Sequence, residues 1–331
     1  MRKTIVCILL ALFLSSCSRP RLLPVPALVP TATKPAPSAP SASAPIATLP
    51  ALSAPSASFD KSNLGTVARD IIYCTMDGVP LKMDIYYPKQ ADAVWPVVMY
   101  VHGGAWEKGS KSEADMTEQP ALTAAGFLFV SIDYRLAPEY KFPAMIEDTK
   151  CAVRYLRAHA AGYNLDPNRV GAIGGSAGGH LVSLLGLSDQ SAGWEVGEYL
   201  NQSSRVQAVV DYFGPADLTV VRQNNLITGR LWKAVFGATS GSDPLMAAAS
   251  PVTYVTSDDP PFLIVQGEQD TLVSPAQSQE LYDRLTSTGI PAQLVMVKNS
   301  EHAFAPSGGS LDPSRASITQ MAVDFFTKYL K

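Results

Sequence analysis

The sequence has few charges, few cysteines and no cluster of basic residues. Only 17% of its 331 residues are charged, and the formal net charge is −3. A chain without a basic patch lacks the electrostatic footprint of a nucleic-acid-binding protein, so we expect no nucleic-acid partner. Four cysteines are too few to build a disulfide-based fold, whereas 47% hydrophobic residues are enough for a large core. The composition therefore indicates a globular domain with an apolar interior.

The N-terminus has the layout of a secretory signal. Arg2 and Lys3 precede an apolar run of ten residues, 5–14, which is too short to span a bilayer as a permanent helix. The run leads into Leu-Ser-Ser-Cys, which resembles the box at which bacterial lipoproteins are cleaved and acylated. By that resemblance Cys17 is a lipid anchor, and Ser18 is typical of lipoproteins sent to the outer membrane. The alternative is an ordinary signal peptide with a chance cysteine.

A linker rich in proline and alanine follows the anchor cysteine. Residues 18–58 hold ten prolines and ten alanines among serines and threonines, with almost no charge. This composition cannot build a core, and it favours extended, polyproline-like chain. We therefore divide the chain into a signal peptide over 1–16, an anchor cysteine and linker over 17–58, and a folded domain over 59–331. The protein is expected to be secreted across the inner membrane and held at the outer membrane or in the periplasm.

The folded domain alternates apolar runs with helical patterns. Period-two alternation over 81–87, after a turn formed by Asp77, Gly78, Val79 and Pro80, predicts an N-terminal hairpin. Continuous apolar runs separated by helical segments indicate a mostly parallel α/β sheet of eight strands with helices on both faces. The predicted strands are 69–75, 81–87, 96–101, 127–132, 170–173, 206–213, 261–266 and 293–297. The predicted helices are a segment ending at 125, then 144–161, 177–187, 275–287 and 317–330.

Residues 171–180, which read GAIGGSAGGH, contain a candidate nucleophile. A serine hydroxyl projected from a sharp turn between strand and helix needs glycines two residues before and after it, because neighbouring backbone passes close on both sides. Gly174 and Gly178 flank Ser176 at this spacing, and the predicted strand and helix stand on either side. We therefore predict that Ser176 is a nucleophile; a plain tight turn is the alternative.

The base follows by elimination among four histidines. His102 lies in a glycine-rich loop that it is expected to brace, His159 lies late in a helix, and His180 lies one turn into the helix after the serine. His302 remains, directly after the last predicted strand, where a base that serves Ser176 is expected.

Asp270 is the candidate acid of this group. It follows the preceding strand, where its carboxylate can orient the imidazole of His302 and stabilise the protonated ring. The chain order Ser, Asp, His is the one expected of an α/β-hydrolase. Glu268 is the nearest alternative, because a two-residue shift of the loop would bring it into range, and Asp217 is a more distant one.

A glycine-rich loop, HGGAW at 102–106, directly follows the buried strand 96–101. Such a loop can direct backbone N–H groups at a developing oxyanion, and a plain turn is the alternative. We assign the oxyanion hole to the N–H groups of Gly104, Ala105 and Ala177. Trp106 and Tyr134 are candidates for the walls of an acyl pocket.

These motifs together resemble a family. HGGAW, DYRLAP at 133–138, GGSAGGH at 174–180 and the aspartate and histidine loops are similar to those of bacterial esterases grouped with bifunctional feruloyl/acetyl xylan esterases, which are related to hormone-sensitive lipase. The resemblance covers about 70–331 and implies an α/β-hydrolase fold and a serine carboxylesterase that uses no metal or cofactor. Two positions depart from the pattern. Ala105 replaces the third glycine of the HGGG form, and Glu301 replaces the glycine usually found before the histidine.

The leading hypothesis is an anchored esterase for short acyl or hydroxycinnamoyl esters, whether small molecules or polysaccharides such as acetylated or feruloylated xylan. A lipase for longer acyl chains is one alternative. An amidase similar to kynurenine formamidases is another, although its cytosolic substrate conflicts with the signal sequence. The last alternative is a catalytically silent domain, which the complete set of motifs disfavours.

For two further features of the sequence, a structural interpretation is at least as well supported as a functional one. Cys74 and Cys151 are expected to be separate buried thiols, since small buried thiols are common and one lies on a strand and the other on a helix. A disulfide between them in an oxidising compartment is the alternative. The segment 214–256 is expected to form a lid or a pocket wall, and ordinary connecting helices are equally compatible with its pattern.

Overall fold

The computed structural model describes residues 61–90, 94–115, 118–220 and 229–331. The expected signal peptide, Cys17 and the whole linker 18–58 lie outside these ranges, so their assignments stay predictions. Within the described ranges, no helix is long and apolar enough to cross a membrane.

One sheet of eight strands forms the centre of the described domain. The strands are β1 Val67–Met76, β2 Val79–Tyr86, β3 Trp95–Val101, β4 Leu128–Ile132, β5 Leu165–Gly175, β6 Ala208–Tyr212, β7 Phe262–Gly267 and β8 Ala292–Val297. Their order in the sheet is β1-β2-β4-β3-β5-β6-β7-β8. β2 pairs antiparallel with β1 and β4, and the other neighbouring pairs are parallel. The prediction of a mostly parallel eight-stranded sheet is confirmed.

Helices cover both faces of this sheet. The helices are α1 Glu118–Ala124, α2 Ala144–Ala158, α3 Ala160–Tyr163, α4 Ala177–Leu187, α5 Gly229–Leu231, α6 Pro244–Ala248, α7 Pro275–Ser287 and α8 Arg315–Leu330. Helices α2, α4 and α7 pack their apolar side chains into the core on one face, through Met145, Leu181 and Leu281. Helices α1 and α8 cover the opposite face, through Leu122 and Ile318. Parallel strands buried on both faces explain why β3 to β7 read as continuous apolar runs.

The N-terminal hairpin closes through a two-residue turn. Met76 pairs with Val79, and both turn residues, Asp77 and Gly78, have positive φ angles of 51° and 79°. A two-residue turn of this kind matches the right-handed twist of the paired strands. Both strands therefore extend further toward the turn than predicted: the first ends at 76 and not 75, and the second begins at 79 and not 81.

Cys74 and Cys151 form a disulfide, so the expectation of two separate thiols is wrong. Cys74 lies in β1 and Cys151 in α2, with their Cα atoms 6.5 Å apart. Helix α2 packs directly against β1, which brings two residues separated by 77 positions face to face. The sequence pattern placed one cysteine on a strand and one on a helix, but it did not show that these two elements are neighbours.

Two segments are less helical than expected. Among the described residues between the glycine loop and residue 125, only α1 is α-helical, and a short 3₁₀ turn, Lys111–Asp115, lies before it. In the segment 214–256, residues 221–228 lie outside the described ranges, and Trp232–Phe236 forms a π-helical turn. The described remainder of 214–256 consists of short helices and connecting chain, with α6 the longest α-helix in it.

Candidate active site

Ser176 lies at the sharp turn between β5 and α4. Its backbone has φ 56° and ψ −120°, a combination that is costly for a residue with a side chain. A Cβ atom at Gly178 would overlap the carbonyl oxygen of Val101, so only glycine lets α4 begin this close to β3. The predicted elbow is therefore present, and it presents the Ser176 hydroxyl to a cavity.

The structure brings Ser176, His302 and Asp270 together. Nε2 of His302 lies 3.0 Å from Oγ of Ser176, and Nδ1 of His302 lies 2.7 Å from Oδ2 of Asp270. With Nδ1 protonated, the ring donates to the carboxylate and leaves Nε2 free to accept the serine proton. Asp270 is 4% exposed, so its charge acts on the imidazole with little screening from water.

Asp270 is held by more donors than the sequence indicated. Its Oδ1 accepts the backbone N–H groups of Leu272 and Val273, both at 2.9 Å. Its Oδ2 also accepts a hydrogen bond from Nε2 of Gln266 at 3.0 Å, and Gln266 is in turn fixed by Ser278. Sequence reasoning missed Gln266, although a polar side chain inside the otherwise apolar run of β7 was a signal for it.

Neither alternative acid reaches the histidine. Glu268 is exposed on the same loop, two residues before Asp270. The carboxylate of Asp217 accepts hydrogen bonds from the backbone and hydroxyl of Thr219 instead. The geometry therefore selects Asp270.

The loop before the histidine tolerates Glu301 in place of glycine. Glu301 has φ −87°, an ordinary value for any residue, and its N–H donates to the carbonyl of Ala305. The positive φ angles of non-glycine residues in the chain after β8 fall instead on Asn299, Ala303 and Phe304. The departure from the family pattern at Glu301 therefore leaves the position of His302 intact.

The glycine-rich loop turns backbone N–H groups toward the cavity. Gly104, Ala105 and Trp106 have successive positive φ angles of 104°, 55° and 58°, an arrangement in which consecutive N–H groups can line one concave surface. Gly104 and Ala105 line the same cavity as Ser176, and Ala177 is the first residue of α4. Among the described residues, none accepts a hydrogen bond from the N–H of Gly104, Ala105 or Ala177. These three N–H groups are therefore available to an oxyanion, and their assignment to the oxyanion hole stays a prediction.

Trp106 and Tyr134 do not wall the cavity, which corrects their assignment to an acyl pocket. Trp106 is 1% exposed and packs edge-on against His180 and Phe236. The Tyr134 hydroxyl donates to the carbonyl of His102 at 3.0 Å, and its ring stacks on the His102 imidazole. Trp106 is the last residue of the glycine loop and Tyr134 comes just after β4; both side chains pack under that loop, away from the cavity.

The remaining histidines have structural contacts. Nδ1 of His102 lies 2.8 Å from the carbonyl oxygen of Gly103, and burial lowers the pKa of this histidine. His180 is fully buried, with Nε2 2.7 Å from the carbonyl of Ala249, and burial lowers its pKa to about 4. Nδ1 of His159 lies near the carbonyl of Tyr155. The brace role expected for His102 agrees with these contacts.

The DYRLAP stretch fixes the surroundings of the glycine loop. Oδ1 of Asp133 accepts the N–H of Lys111, and the Arg135 guanidinium pairs with the buried Asp148 at 2.7 Å. Burial raises the pKa of Asp148 to about 6, although the adjacent Arg135 acts in the opposite direction. This motif therefore anchors α2 to the loop after β4.

A cavity of about 400 Å³ opens beside Ser176 and His302. Its volume lies in the usual range for sites that bind small molecules. No described residue of 214–256 lines this cavity, so the described part of that segment is not its wall. Besides Ser176, His302 and the glycine loop, the lining consists of Tyr100, Lys108, Glu113, Glu118, Phe129, Ile173, Gly175, Tyr212, Phe213, Leu272, Ala303, Phe304 and Arg315. Within the described ranges, no group of His, Cys, Asp or Glu side chains is placed to hold a metal ion.

A nucleophile, a base, an orienting acid and free backbone donors at one cavity can perform acyl transfer to serine.

The chain is also similar to known esterases. The family model BD-FAE matches residues 83–285. Esterase LipQ of Mycobacterium tuberculosis is 34% identical over 212 residues, which cover 63% of this chain and 50% of LipQ. The chain spans about half the length of the curated relatives it matches first.

Two solved structures share the fold of the described domain. A truncated carbohydrate esterase from gut microbiota superposes with a TM-score of 0.70 at 28% identity, over 82% of this chain and 98% of that one. An esterase of the planctomycete Thermogutta terrifontis, with butyrate bound, gives a TM-score of 0.65 at 25% identity, over 79% and 94% of the two chains. The α/β-hydrolase fold is confirmed.

Proposed function

The chain belongs to the BD-FAE family of α/β-hydrolases, and we propose that it is a serine carboxylesterase for short acyl or hydroxycinnamoyl esters. The observation that carries this proposal is the pair of contacts made by His302, at 3.0 Å to the Ser176 hydroxyl and 2.7 Å to the Asp270 carboxylate.

The reaction proceeds in two halves. Oγ of Ser176 attacks the ester carbonyl carbon while Nε2 of His302 takes its proton, and the N–H groups of the oxyanion hole stabilise the charge that develops on the carbonyl oxygen. His302 then gives its proton to the departing alkoxide, which leaves an acyl-enzyme on Ser176. In the second half His302 deprotonates water, the hydroxide attacks the acyl carbon, and the serine oxygen leaves with the proton.

The lining and the volume of the cavity support a small acyl group as the part of the substrate that it binds. Aromatic and aliphatic side chains form most of its wall, and its volume of about 400 Å³ suits a short chain or one aromatic ring. The likeness to a carbohydrate esterase and to an esterase with bound butyrate supports acetyl or feruloyl groups on polysaccharide, including xylan, as the natural substrate.

A panel of esters tests this proposal. The panel holds p-nitrophenyl esters of two to sixteen carbons, acetylated xylan, methyl ferulate and N-formylkynurenine. We expect the highest kcat/KM on two to four carbons, a steep fall beyond about eight carbons, and release of acetate or ferulate. Preference for sixteen carbons would indicate a lipase, and N-formylkynurenine as the best substrate would indicate an amidase.

We also propose that the enzyme is secreted and held on a membrane by lipid at Cys17, through the linker 18–58. The layout of residues 1–17 supports this location, and so does the Cys74–Cys151 disulfide, because disulfides persist in oxidising compartments. Mass spectrometry of the mature N-terminus should find an acylated Cys17 in the wild type, and Cys17→Ser should block both processing and lipidation. An unmodified mature chain that starts at another residue would contradict the anchor.

A further inference from the structure

The chain at the end of β6 contacts both the nucleophile and the base. The backbone N–H of Ser176 donates to the carbonyl of Tyr212 at 2.9 Å. Phe213, the next residue, places its ring against the imidazole of His302, with the two ring centroids 4.8 Å apart and their planes at 65°. This edge-to-face arrangement is favourable for two aromatic rings. The His302 ring therefore has a third contact, besides its hydrogen bonds to Ser176 and Asp270.

The ring of Phe213 has little room to move. It lies against Gly175, where an added Cβ atom would come within 3.1 Å of the ring. It also meets the ring of Phe304, with 4.8 Å between the centroids. The backbone N–H of Phe213 donates to the carbonyl of Val265 in β7 at 3.0 Å. These contacts hold the ring in place before any substrate binds.

The backbone of Phe213 is strained. Its φ angle is 45°, in the left-handed region that bulky residues rarely adopt. Strain of this kind persists where the surrounding structure requires it, and it is concentrated at functional sites. The ring that this backbone orients lies on His302 and lines the substrate cavity. The strain therefore points to a role in the reaction.

The contacts of His302 change in the course of the reaction. In the free enzyme its two ring nitrogens lie next to Oγ of Ser176 and Oδ2 of Asp270. Once Oγ carries the acyl group it has no proton to donate, so Nε2 loses this partner. The imidazole is then held by Asp270 at Nδ1 and by the ring of Phe213. Deacylation nevertheless requires Nε2 to face the water whose proton it takes.

We propose that Phe213 is a positioning residue for deacylation, an inference that rests on the proposed esterase function. Its ring keeps Nε2 of His302 directed at the attacking water while the hydrogen bond to Ser176 is absent. The water oxygen bonds to the acyl carbon as its proton passes to Nε2. The bond from that carbon to Oγ then breaks, and Oγ receives the proton. Acylation depends less on Phe213, because the Ser176 hydroxyl then holds the imidazole as well.

Separate rate constants for the two halves of the reaction test this role. The substrate is p-nitrophenyl acetate at saturation, so that a change in substrate binding does not enter. Acid quenching followed by intact mass spectrometry gives the acetylated fraction of the enzyme. Turnover divided by that fraction is the deacylation rate constant, and turnover divided by the remaining fraction is the acylation rate constant. We expect Phe213→Leu to lower the deacylation constant about tenfold and the acylation constant less than about threefold.

A matched control separates this role from a general loss of packing. Phe325 in α8 is as buried as Phe213, at 5% exposure against 7%, but it does not line the cavity. Phe325→Leu should therefore leave both rate constants within about twofold of the wild type. Phe213→Met, whose flexible side chain fills more of the space of the ring, is a second variant and should also slow deacylation selectively.

Two outcomes would overturn the inference. One is an unchanged deacylation constant in Phe213→Leu, and the other is an equal loss in both rate constants. Each would count against the role of Phe213 alone as long as the wild type hydrolyses p-nitrophenyl acetate through an acetyl group on Ser176. Absence of that hydrolysis in the wild type would overturn the proposed esterase function itself.

Discussion

Gln266 and His302 donate hydrogen bonds to the same oxygen of Asp270. Nε2 of Gln266 lies 3.0 Å from Oδ2, and Nδ1 of His302 lies 2.7 Å from it. The glutamine sits at the end of β7 and is fully buried. It therefore fixes the carboxylate that in turn fixes the imidazole.

Replacement of this glutamine should slow the reaction without removing any reacting group. We expect Gln266→Met to lower kcat about tenfold, because it removes one hydrogen bond that holds the charged carboxylate. KM should change much less, since Gln266 does not line the cavity. The exposed Gln269 provides a matched control, and Gln269→Met should stay within about twofold of the wild type. Equal effects of the two substitutions would remove the positioning role from Gln266.

Asp270 and Glu268 offer a direct comparison of two neighbouring acids. Asp270→Asn should lower kcat by about 10⁴-fold, because an amide favours the wrong tautomer of His302. Glu268→Gln should leave kcat nearly unchanged, since this carboxylate is exposed and makes no contact with the histidine. Steady-state kinetics on p-nitrophenyl acetate measures both. A larger loss of kcat in Glu268→Gln than in Asp270→Asn would assign the acid to Glu268 instead.

The buried carboxyl group of Asp211 should make the free energy of unfolding decrease as pH rises. Burial raises its pKa to about 6, although Ser183 and the N–H of Gly214 donate to it. The native state then binds more protons than the unfolded state between pH 4 and 6, so the free energy of unfolding decreases across this interval. Two pKa units correspond to about 3 kcal/mol.

Asp211→Asn isolates this contribution. An asparagine can accept from Gly214 and donate to Ser183 while carrying no charge. Urea unfolding should show the variant gaining stability relative to the wild type as pH rises from about 4 to 7. A difference between the two proteins that does not vary with pH would contradict the raised pKa.

The Cys74–Cys151 disulfide should contribute strongly to stability. It closes a loop between residues 77 positions apart, so its loss should cost about 2–4 kcal/mol through the greater freedom of the unfolded chain. The double variant Cys74→Ser, Cys151→Ser and the reduced wild type should show the same lowered denaturation midpoint. An unchanged midpoint of the wild type in the presence of a reductant would show that the bond does not form.

The sequence predicts the order of elements better than the contacts between them. Continuous apolar runs locate the central parallel strands, because strands buried on both faces leave such a signal, and period-two alternation locates the N-terminal hairpin. Ser176 and His302 follow from spacing and chain order. The pairing of Cys74 with Cys151 depends on which helix packs against β1, and no local pattern contains that information.

The walls of the cavity were the least predictable part of the site. Trp106 lies next to the oxyanion loop in sequence, but the positive φ angles of that loop turn its side chain into the core. Tyr212 and Arg315 come from a strand and a helix separated by about a hundred residues, and they meet only because α8 packs across the sheet. Such a pair has no signature along the chain.

The central claim is that Ser176 is a nucleophile activated by His302. The most direct measurement is to treat the purified protein with a fluorophosphonate probe, digest it and locate the adduct by mass spectrometry. We expect one adduct per chain, on Ser176, with loss of ester hydrolysis in proportion to labelling. Ser176→Ala should be folded, unlabelled and inactive, while the exposed-serine control Ser287→Ala should label and react like the wild type. An adduct on another residue, or ester hydrolysis retained by Ser176→Ala, would contradict the account.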